Sequence, residues 1–227
     1  MSGARERRRQ LVVMARWPAP GRCKARLAAG IGPAGAARVQ ARLTWHTLAA
    51  VLAARRRLPF ELVLAVSPLG RRAAGRWSRL LGPARVVPQG GGGLGLRMTR
   101  QLARARREGA SQVVLVGSDL PALDQEDLLE AFAALERIPL VLGPAADGGY
   151  WLVGLGLQGE RGLQRERGAA GPGRRRLPIP PLFSGIAWGS DQVLRQTRTA
   201  AGRWGLPLSL LQERADLDHA ADLRPWR

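Results

Sequence analysis

Short apolar runs alternate along the chain with longer segments of helical periodicity. Brief runs rich in bulky apolar residues predict strands. They lie at 11–15, 61–66, 86–87, 113–116, 140–142, 150–153 and 208–211. Helical spacing predicts helices over about 33–54, 71–81, 128–135 and 191–201, and another from Leu94 onward. This alternation favours an α/β fold with a mostly parallel sheet, which binds ligands at the carboxyl ends of its strands.

A length of 227 residues favours a single domain over 1–227. Residues 1–9 form a basic tail, and residues 158–181, rich in Gly, Arg and Pro, lack periodicity and are interpreted as a mobile loop. A cytoplasmic location is expected, because neither an export signal nor a run of about 18 apolar residues is found. The single cysteine, Cys23, excludes an internal disulfide.

The net charge of +19 raises the question of nucleic-acid binding. Only one of the 36 basic residues is lysine, however, and the abundance of Ala, Gly and Pro indicates a GC-rich coding bias. The arginines are dispersed and have few aromatic neighbours of the kind that stack on single-stranded bases. Solvated faces are therefore favoured, and an Arg-rich nucleic-acid-binding protein remains as an alternative.

The loop after the first predicted strand carries cations suited to phosphate. Pro20 and Gly21 precede Lys24 and Arg26, so backbone amides and side-chain cations lie where a nucleotide phosphate would be held. Lys24 is the only lysine, and a compact ammonium contacts phosphate oxygens differently from a planar guanidinium. The alternative is that one lysine survived by chance.

A second loop, 89–95, is rich in glycine and joins a strand to a helix. Its candidate nucleotide contacts are Gln89, Gly92 and Gly95, with Arg97 in the first helical turn, because glycines let a ligand approach the backbone. A flexible surface turn would have the same composition. The loop is therefore weak evidence without its context.

Two further strands end in carboxylates. Asp119 follows an apolar strand, a placement that suits a ligand of Mg²⁺ or Mn²⁺ bound to diphosphate oxygens. Asp147 is followed by Gly148 and Gly149, which would admit a substrate, and by Tyr150 as an aromatic platform. An Asp-Gly hairpin turn is an equally weighted interpretation of this second block.

Other polar candidates are interpreted as structural. His46 shares a helical face with Leu43 and is expected to be packed in the core. Asp216 and Asp218 form a D-x-D pattern typical of metal sites, but their position before a short terminal helix favours a helix cap. Asp124 is likewise expected to cap the helix that follows it.

Five blocks, taken in order, resemble the DUF2064 family of small GT-A-like bacterial glycosyltransferases, often labelled arsenosugar-biosynthesis enzymes. The family's P-x-P-G-x-x-K-T-R-L pattern matches 18–27 except at Ala25, which replaces Thr. Its glycine loop, its G-[ST]-D-x-P pattern and its G-P-A-x-D-G-G-Y-x-L-x-G-L pattern correspond to 89–98, 117–121 and 143–155. The last block comprises Leu182, Phe183, Ile186, Trp188, Asp216, Asp218, Asp222 and Leu223.

The resemblance implies a Rossmann-like GT-A three-layer sandwich and metal-assisted glycosyl transfer from a nucleotide sugar to a small-molecule acceptor. It implies Mg²⁺ or Mn²⁺ on Asp119, and donor phosphates on Lys24 and Arg26. Asp147 would orient the sugar or the acceptor, or act as the base of an inverting reaction, and Trp188 would contact substrate.

Two positions depart from the family. Gly93 and Leu96 stand where it carries acidic residues, so any metal or hydroxyl contact made by those carboxylates is absent. The nearest alternative function is a nucleotidyltransferase on the same fold, which would combine an NTP with a phosphorylated substrate and release pyrophosphate. The sequence predicts a nucleotide site and leaves the nucleotide, the sugar and the acceptor open.

Overall fold

The computed structural model describes residues 8–67, 75, 77, 85–157 and 179–226. Residues 1–7 of the predicted basic tail, most of the predicted helix at 71–81 and most of the predicted loop at 158–181 lie outside these ranges, whereas Arg9 belongs to the first strand. Those predictions, and that of a single domain over the whole chain, therefore stay predictions.

One sheet contains all seven predicted strands. The strands are β1 (Arg9–Arg16), β2 (Glu61–Ser67), β3 (Arg85–Pro88), β4 (Gln112–Gly117), β5 (Leu140–Pro144), β6 (Tyr150–Gly156) and β7 (Leu208–Leu210). Their order is β3-β2-β1-β4-β6-β5-β7. Only β6 runs against its neighbours, β4 and β5, and the other pairs are parallel.

The part of the chain that the structure describes with complete elements contains four α-helices and a terminal 3-10 helix around the sheet. They are α1 (Ala25–Arg57), α2 (Leu94–Arg107), α3 (Gln125–Ala134), α4 (Val193–Arg203) and the 3-10 helix Ala220–Trp226. Within the described ranges, no helix is both long enough and apolar enough to cross a bilayer.

Local sequence signals explain where α3 begins and where α1 is interrupted. The predicted cap of α3 is confirmed: Oδ1 of Asp124 accepts from the backbone N–H of Asp127, and Oδ2 of Asp127 accepts from that of Asp124. Helix α1 is broken at Gly32, where φ is 75°, and continues from Pro33, the predicted first-turn residue. The turns before Gly32 were not predicted, because their alanines and glycines give a weak apolar pattern.

The sheet is covered on both faces. Alternate side chains such as Leu11 and Val13 pack with α1 and α3, whereas Val12 and Val63 pack with α2 and α4 on the opposite face. Alternation along each strand thus supplies both cores. The predicted three-layer, mostly parallel architecture is confirmed.

The prediction that His46 is packed in the core was wrong, because this side chain is exposed. The buried stripe of α1 runs instead through Thr44, Thr47, Leu48 and Val51. Two threonines belong to that stripe. A prediction that counts only apolar residues overlooks them and therefore places the buried face of the helix too far round towards His46.

The strand order creates a switch point between β1 and β4. After β1 the chain crosses to β2 on one side, and after β4 it continues to the β5–β6 side. The loops that follow these two adjacent strands therefore diverge and leave a crevice at their carboxyl ends.

Candidate functional site

Lys24 and Asp119 meet at this switch point. Lys24 lies between the loop after β1 and the first turn of α1, and Asp119 lies two residues beyond β4. Lys24 Nζ is 3.1 Å from Oδ1 of Asp119, and the two side chains are 3% and 47% exposed. The ion pair is therefore buried on its cationic side and open to solvent on its carboxylate side.

The segment after β7 completes this arrangement. Lys24 Nζ donates to the carbonyl oxygen of Leu217 at 2.5 Å and to Oδ1 of Asp218 at 3.2 Å. Arg26 Nη1 lies 3.8 Å from Oδ2 of Asp218, and the backbone N–H of Leu217 donates to the carbonyl oxygen of Asp119 at 3.2 Å. Two carboxylates far apart in sequence thus share one ammonium.

The helix-cap prediction for Asp218 was wrong. The carboxylate of Asp222 accepts from the backbone N–H groups of Asp218 and His219, at 2.9 and 2.7 Å. Because Asp222, a residue of the 3-10 helix itself, caps these N–H groups, the Asp218 side chain is not needed as a cap. It points towards Lys24 instead. The D-x-D pattern was the signal that could have identified these site residues.

Asp216 brings a further carboxylate to the site. Its pKa is raised to about 7, first by burial and then by the negative charges of Asp119, Asp147 and Asp218, whereas Lys24 opposes the shift. Three carboxylates and one buried lysine therefore act on the carboxyl group of Asp216.

We expect Asp216→Asn to stabilise the metal-free protein at pH 8 and to have little effect near pH 4. A carboxyl with a raised pKa keeps its proton in the folded state while the unfolded chain has lost it, so its contribution to stability falls as pH rises from about 4 to 7. The gain at pH 8 should be at most about 4 kcal/mol, since the pKa is raised from 3.8 to about 7 and one pKa unit corresponds to about 1.4 kcal/mol.

Urea unfolding in EDTA at both pH values measures this difference. Glu130→Gln, an exposed carboxylate on α3, is the matched control and should change stability little at either pH. A destabilised Asp216→Asn protein at pH 8 would contradict the description of this carboxylate as repelled by its neighbours.

Asp147 occupies the tight turn between β5 and β6. Its Oδ1 accepts from the backbone N–H of Gly149 at 2.9 Å, and the N–H of Gly148 donates to the carbonyl oxygen of Ala145 at 3.0 Å. The Asp-Gly turn is therefore present. The exposed carboxylate also lies close enough to Asp216 to raise its pKa, so the turn places a functional group beside the cluster.

Gly148 is required by both backbone conformation and space. Its φ is 84°, and a Cβ there would lie 2.2 Å from the carbonyl oxygen of Asp191. We expect Gly148→Ala to destabilise the protein by roughly 2–4 kcal/mol. Gly189→Ala is the matched control, because φ is 86° and nothing lies within 4 Å, and it should cost only about 1 kcal/mol. Equal losses in thermal unfolding would show that the contact with Asp191 is unimportant.

Aromatic rings line the neighbouring side of the site. Tyr150 and Trp188 are in edge contact, with ring centroids 6.2 Å apart, and Phe183 lies 6.3 Å from Trp188. A Cβ at Gly95 would lie 2.6 Å from the carbonyl oxygen of Phe183 and 2.9 Å from the Trp188 ring. Gly95 therefore lets the start of α2 pack against this aromatic group, and burial raises the pKa of Tyr150, which keeps its hydroxyl neutral.

The glycine-rich loop is fixed to the strand ends by its polar residues. Gln89 Nε2 donates to the carbonyl oxygens of Ala15 and Ala65, at 3.1 and 2.9 Å. Arg97 donates from Nε to the carbonyl oxygen of Gly92 at 2.7 Å and from Nη1 to Oγ of Ser67 at 3.2 Å. These hydrogen bonds within the protein hold the loop in place. The contacts predicted between these side chains and a nucleotide stay predictions.

The first loop ends in an exposed tip. Pro20 and Gly21 are exposed, and Gly21 has a φ of 71°. Lys24, by contrast, is buried among carboxylates. The structure thus gathers the predicted residues at one edge of the sheet, and it adds Asp216 and Asp218 to them.

Nucleotide-diphospho-sugar transferases and related nucleotidyltransferases share this three-layer, mostly parallel fold. The chain belongs to the family described as "uncharacterized protein conserved in bacteria (DUF2064)", whose sequence profile matches residues 47–190. The family resemblance drawn from the sequence is confirmed. No curated protein matches the chain.

Solved structures share this fold. A candidate nucleotide-diphospho-sugar transferase from Desulfovibrio desulfuricans G20 is 28% identical, with a TM-score of 0.76 over 95% of this chain and 84% of that one. CMP:2-keto-3-deoxy-manno-octonic acid synthetase, in complex with CTP, is 11% identical, with a TM-score of 0.55 over 96% of both chains. The 4-diphosphocytidyl-2C-methyl-D-erythritol synthase of Anaerococcus prevotii DSM 20548 is also 11% identical, with a TM-score of 0.55 over 96% and 95%.

Proposed function

We propose that this protein is a metal-assisted glycosyltransferase that uses a nucleotide-diphosphate sugar and a small-molecule acceptor. The observation that carries the proposal is the convergence of Asp119, Asp216 and Asp218 around Lys24 at the switch point of the sheet. The likeness over most of the chain to a candidate nucleotide-diphospho-sugar transferase supports the donor class.

The carboxylates fit a hard divalent cation such as Mg²⁺ or Mn²⁺, which prefers oxygen ligands. Like charges around Asp216 raise its pKa, and a cation would relieve that repulsion. In the described part of the chain no three potential ligands form a ready-made metal cage, and Lys24 lies between Asp119 and Asp218. Asp119 and Asp218, with Asp216, would hold the ion, which when bound neutralises charge on the departing nucleoside diphosphate.

The cationic loops would hold the donor. Arg26 is 62% exposed and accessible to a phosphate, and Lys24 is beside it. Backbone groups of Pro20, Gly21 and the loop at 89–95 lie along the carboxyl ends of β1 and β3, where a nucleotide binds in open α/β sheets. The cations would stabilise charge that develops on the leaving group.

Asp147 and the aromatic group would hold the reacting sugar or the acceptor. The exposed carboxylate of Asp147 can orient a hydroxyl, or accept its proton if the reaction inverts the anomeric centre. Gly148 and Gly149 leave space beside it, and the rings of Tyr150 and Trp188 offer an apolar surface. Exposed Gly93 and Leu96 supply no carboxylate, so hydroxyl contacts from the start of α2 are absent.

Product analysis tests this function against its rivals. A panel of sugar nucleotides and NTPs is incubated with Mn²⁺ and candidate acceptors, and the released nucleotide is identified. Glycosyl transfer releases nucleoside diphosphate, whereas nucleotidyl transfer, which the same fold supports, releases pyrophosphate. Salt-sensitive binding of any DNA or RNA with no response to nucleotides would instead favour the nucleic-acid alternative.

A further inference from the structure

The Lys24 ammonium is surrounded by oxygen atoms. Three of them, from Leu217, Asp119 and Asp218, lie 2.5, 3.1 and 3.2 Å from Nζ. Two of these contacts, to Leu217 and Asp218, are hydrogen bonds, and the third, to Asp119, is an ion pair. With its side chain 3% exposed, Lys24 reaches a bound diphosphate only by leaving these partners.

The backbone at Lys24 is also unusual. With φ at 45°, it is the only residue other than glycine with a positive φ in the described ranges. Such a conformation is costly for a residue with a Cβ and persists where the surroundings impose it, often at functional sites. The contacts made by Nζ and the first turn of α1 hold Lys24 in this position.

We propose that Lys24 is an internal counter-ion that occupies the divalent-cation position between Asp119 and Asp218 until a divalent cation binds. The inference rests on the proposed function, because it assigns the same carboxylate oxygens to the metal. The ammonium lies 3.1 and 3.2 Å from Oδ1 of the two carboxylates, so it competes electrostatically with a divalent cation for these oxygens. Metal binding displaces Lys24, and the freed ammonium moves to the diphosphate.

This exchange couples the two ligands. Diphosphate stabilises the state in which Lys24 has left the carboxylates, and that state binds metal more tightly. By reciprocity, metal raises the affinity for diphosphate by the same factor. Lys24 is thus a positioning residue in the metal-free protein and a phosphate ligand in the loaded one.

Because Lys24 is the only lysine, ¹³Cε-lysine labelling gives the full-length wild-type protein a single lysine NMR signal. We expect saturating Mg²⁺ alone to shift this signal and Asp119→Asn to remove the response. An unchanged signal, at Mg²⁺ concentrations where calorimetry detects binding, would overturn the inference and leave the proposed metal site intact.

Variants give a second, independent test. Lys24→Met should bind Mg²⁺ at least tenfold more tightly than wild type, because the competing cation is gone. Arg26→Met is the matched control: it removes a positive charge 3.8 Å from Asp218 without opening the position between the carboxylates, so its effect should be much smaller.

The outcomes separate the inference from the proposed function. Equal Mg²⁺ affinity in Lys24→Met and wild type overturns the internal counter-ion, whereas no Mg²⁺ binding in either protein contradicts the metal site itself. Circular dichroism establishes whether Lys24→Met is folded. If Lys24→Met is unfolded, the NMR titration of the wild-type protein tests the internal counter-ion by itself.

Discussion

Asp119→Asn is expected to weaken metal-dependent nucleotide binding at least a hundredfold while leaving the protein folded. An amide lacks the charge that a divalent cation requires, and the loss corresponds to about 2.7 kcal/mol. The side chain of Asp119 is 47% exposed and pairs with Lys24 outside the apolar cores, so the fold does not depend on it. Calorimetric titration with and without EDTA measures the effect.

Asp191→Asn provides the control for this substitution, since Asp191 is an exposed carboxylate at the start of the α4 region. It should bind nucleotide as the wild type does. Unchanged metal-dependent binding by Asp119→Asn would remove this residue from the metal site, and an unfolded protein would show that it has a structural role instead.

Lys24→Arg is expected to lower turnover roughly ten- to a hundredfold although the charge is kept. The slot between Leu217 and Asp218 accommodates a compact ammonium, and a planar guanidinium can reproduce neither these contacts nor the contact with phosphate oxygens. Turnover with a sugar nucleotide, measured beside nucleotide affinity, detects the loss.

Arg26→Lys is the control, because it replaces a guanidinium with an ammonium at a neighbouring exposed position. It should be tolerated better than Lys24→Arg, because Arg26 lies outside the buried slot. Full activity in Lys24→Arg would show that the chain's single lysine has no special chemical role.

Most of the fold could be predicted from local patterns. The five central strands are brief apolar runs buried on both faces, and residues such as Val12 and Val13 contribute to opposite cores. Asp124 could be identified as a cap because a capping box involves only residues three apart. The weakest predictions fell on α1, where buried threonines and alanines replace the larger apolar residues that define a helix face.

The site could be predicted only in part, because its central contacts are distant in sequence. Lys24 and Asp218 are 194 residues apart, and nothing local to either one indicates their pairing. A D-x-D pattern before a short helix therefore favoured a cap on local grounds. The amide of Gln89 joins β1 to β2, a contact that its loop sequence does not indicate, and the nucleotide contact predicted for this residue stays a prediction.

The most direct test of the central claim is a thermal-shift panel of sugar nucleotides and NTPs with Mn²⁺ or with EDTA, on wild type and Asp119→Asn. A ligand at a hundred times its Kd stabilises a protein by about 2.7 kcal/mol. We expect at least one nucleotide-diphosphate sugar to raise the melting temperature of wild type with Mn²⁺, and to have no effect with EDTA or on Asp119→Asn. Stabilisation that persists in EDTA, or no response to any nucleotide, would contradict the account.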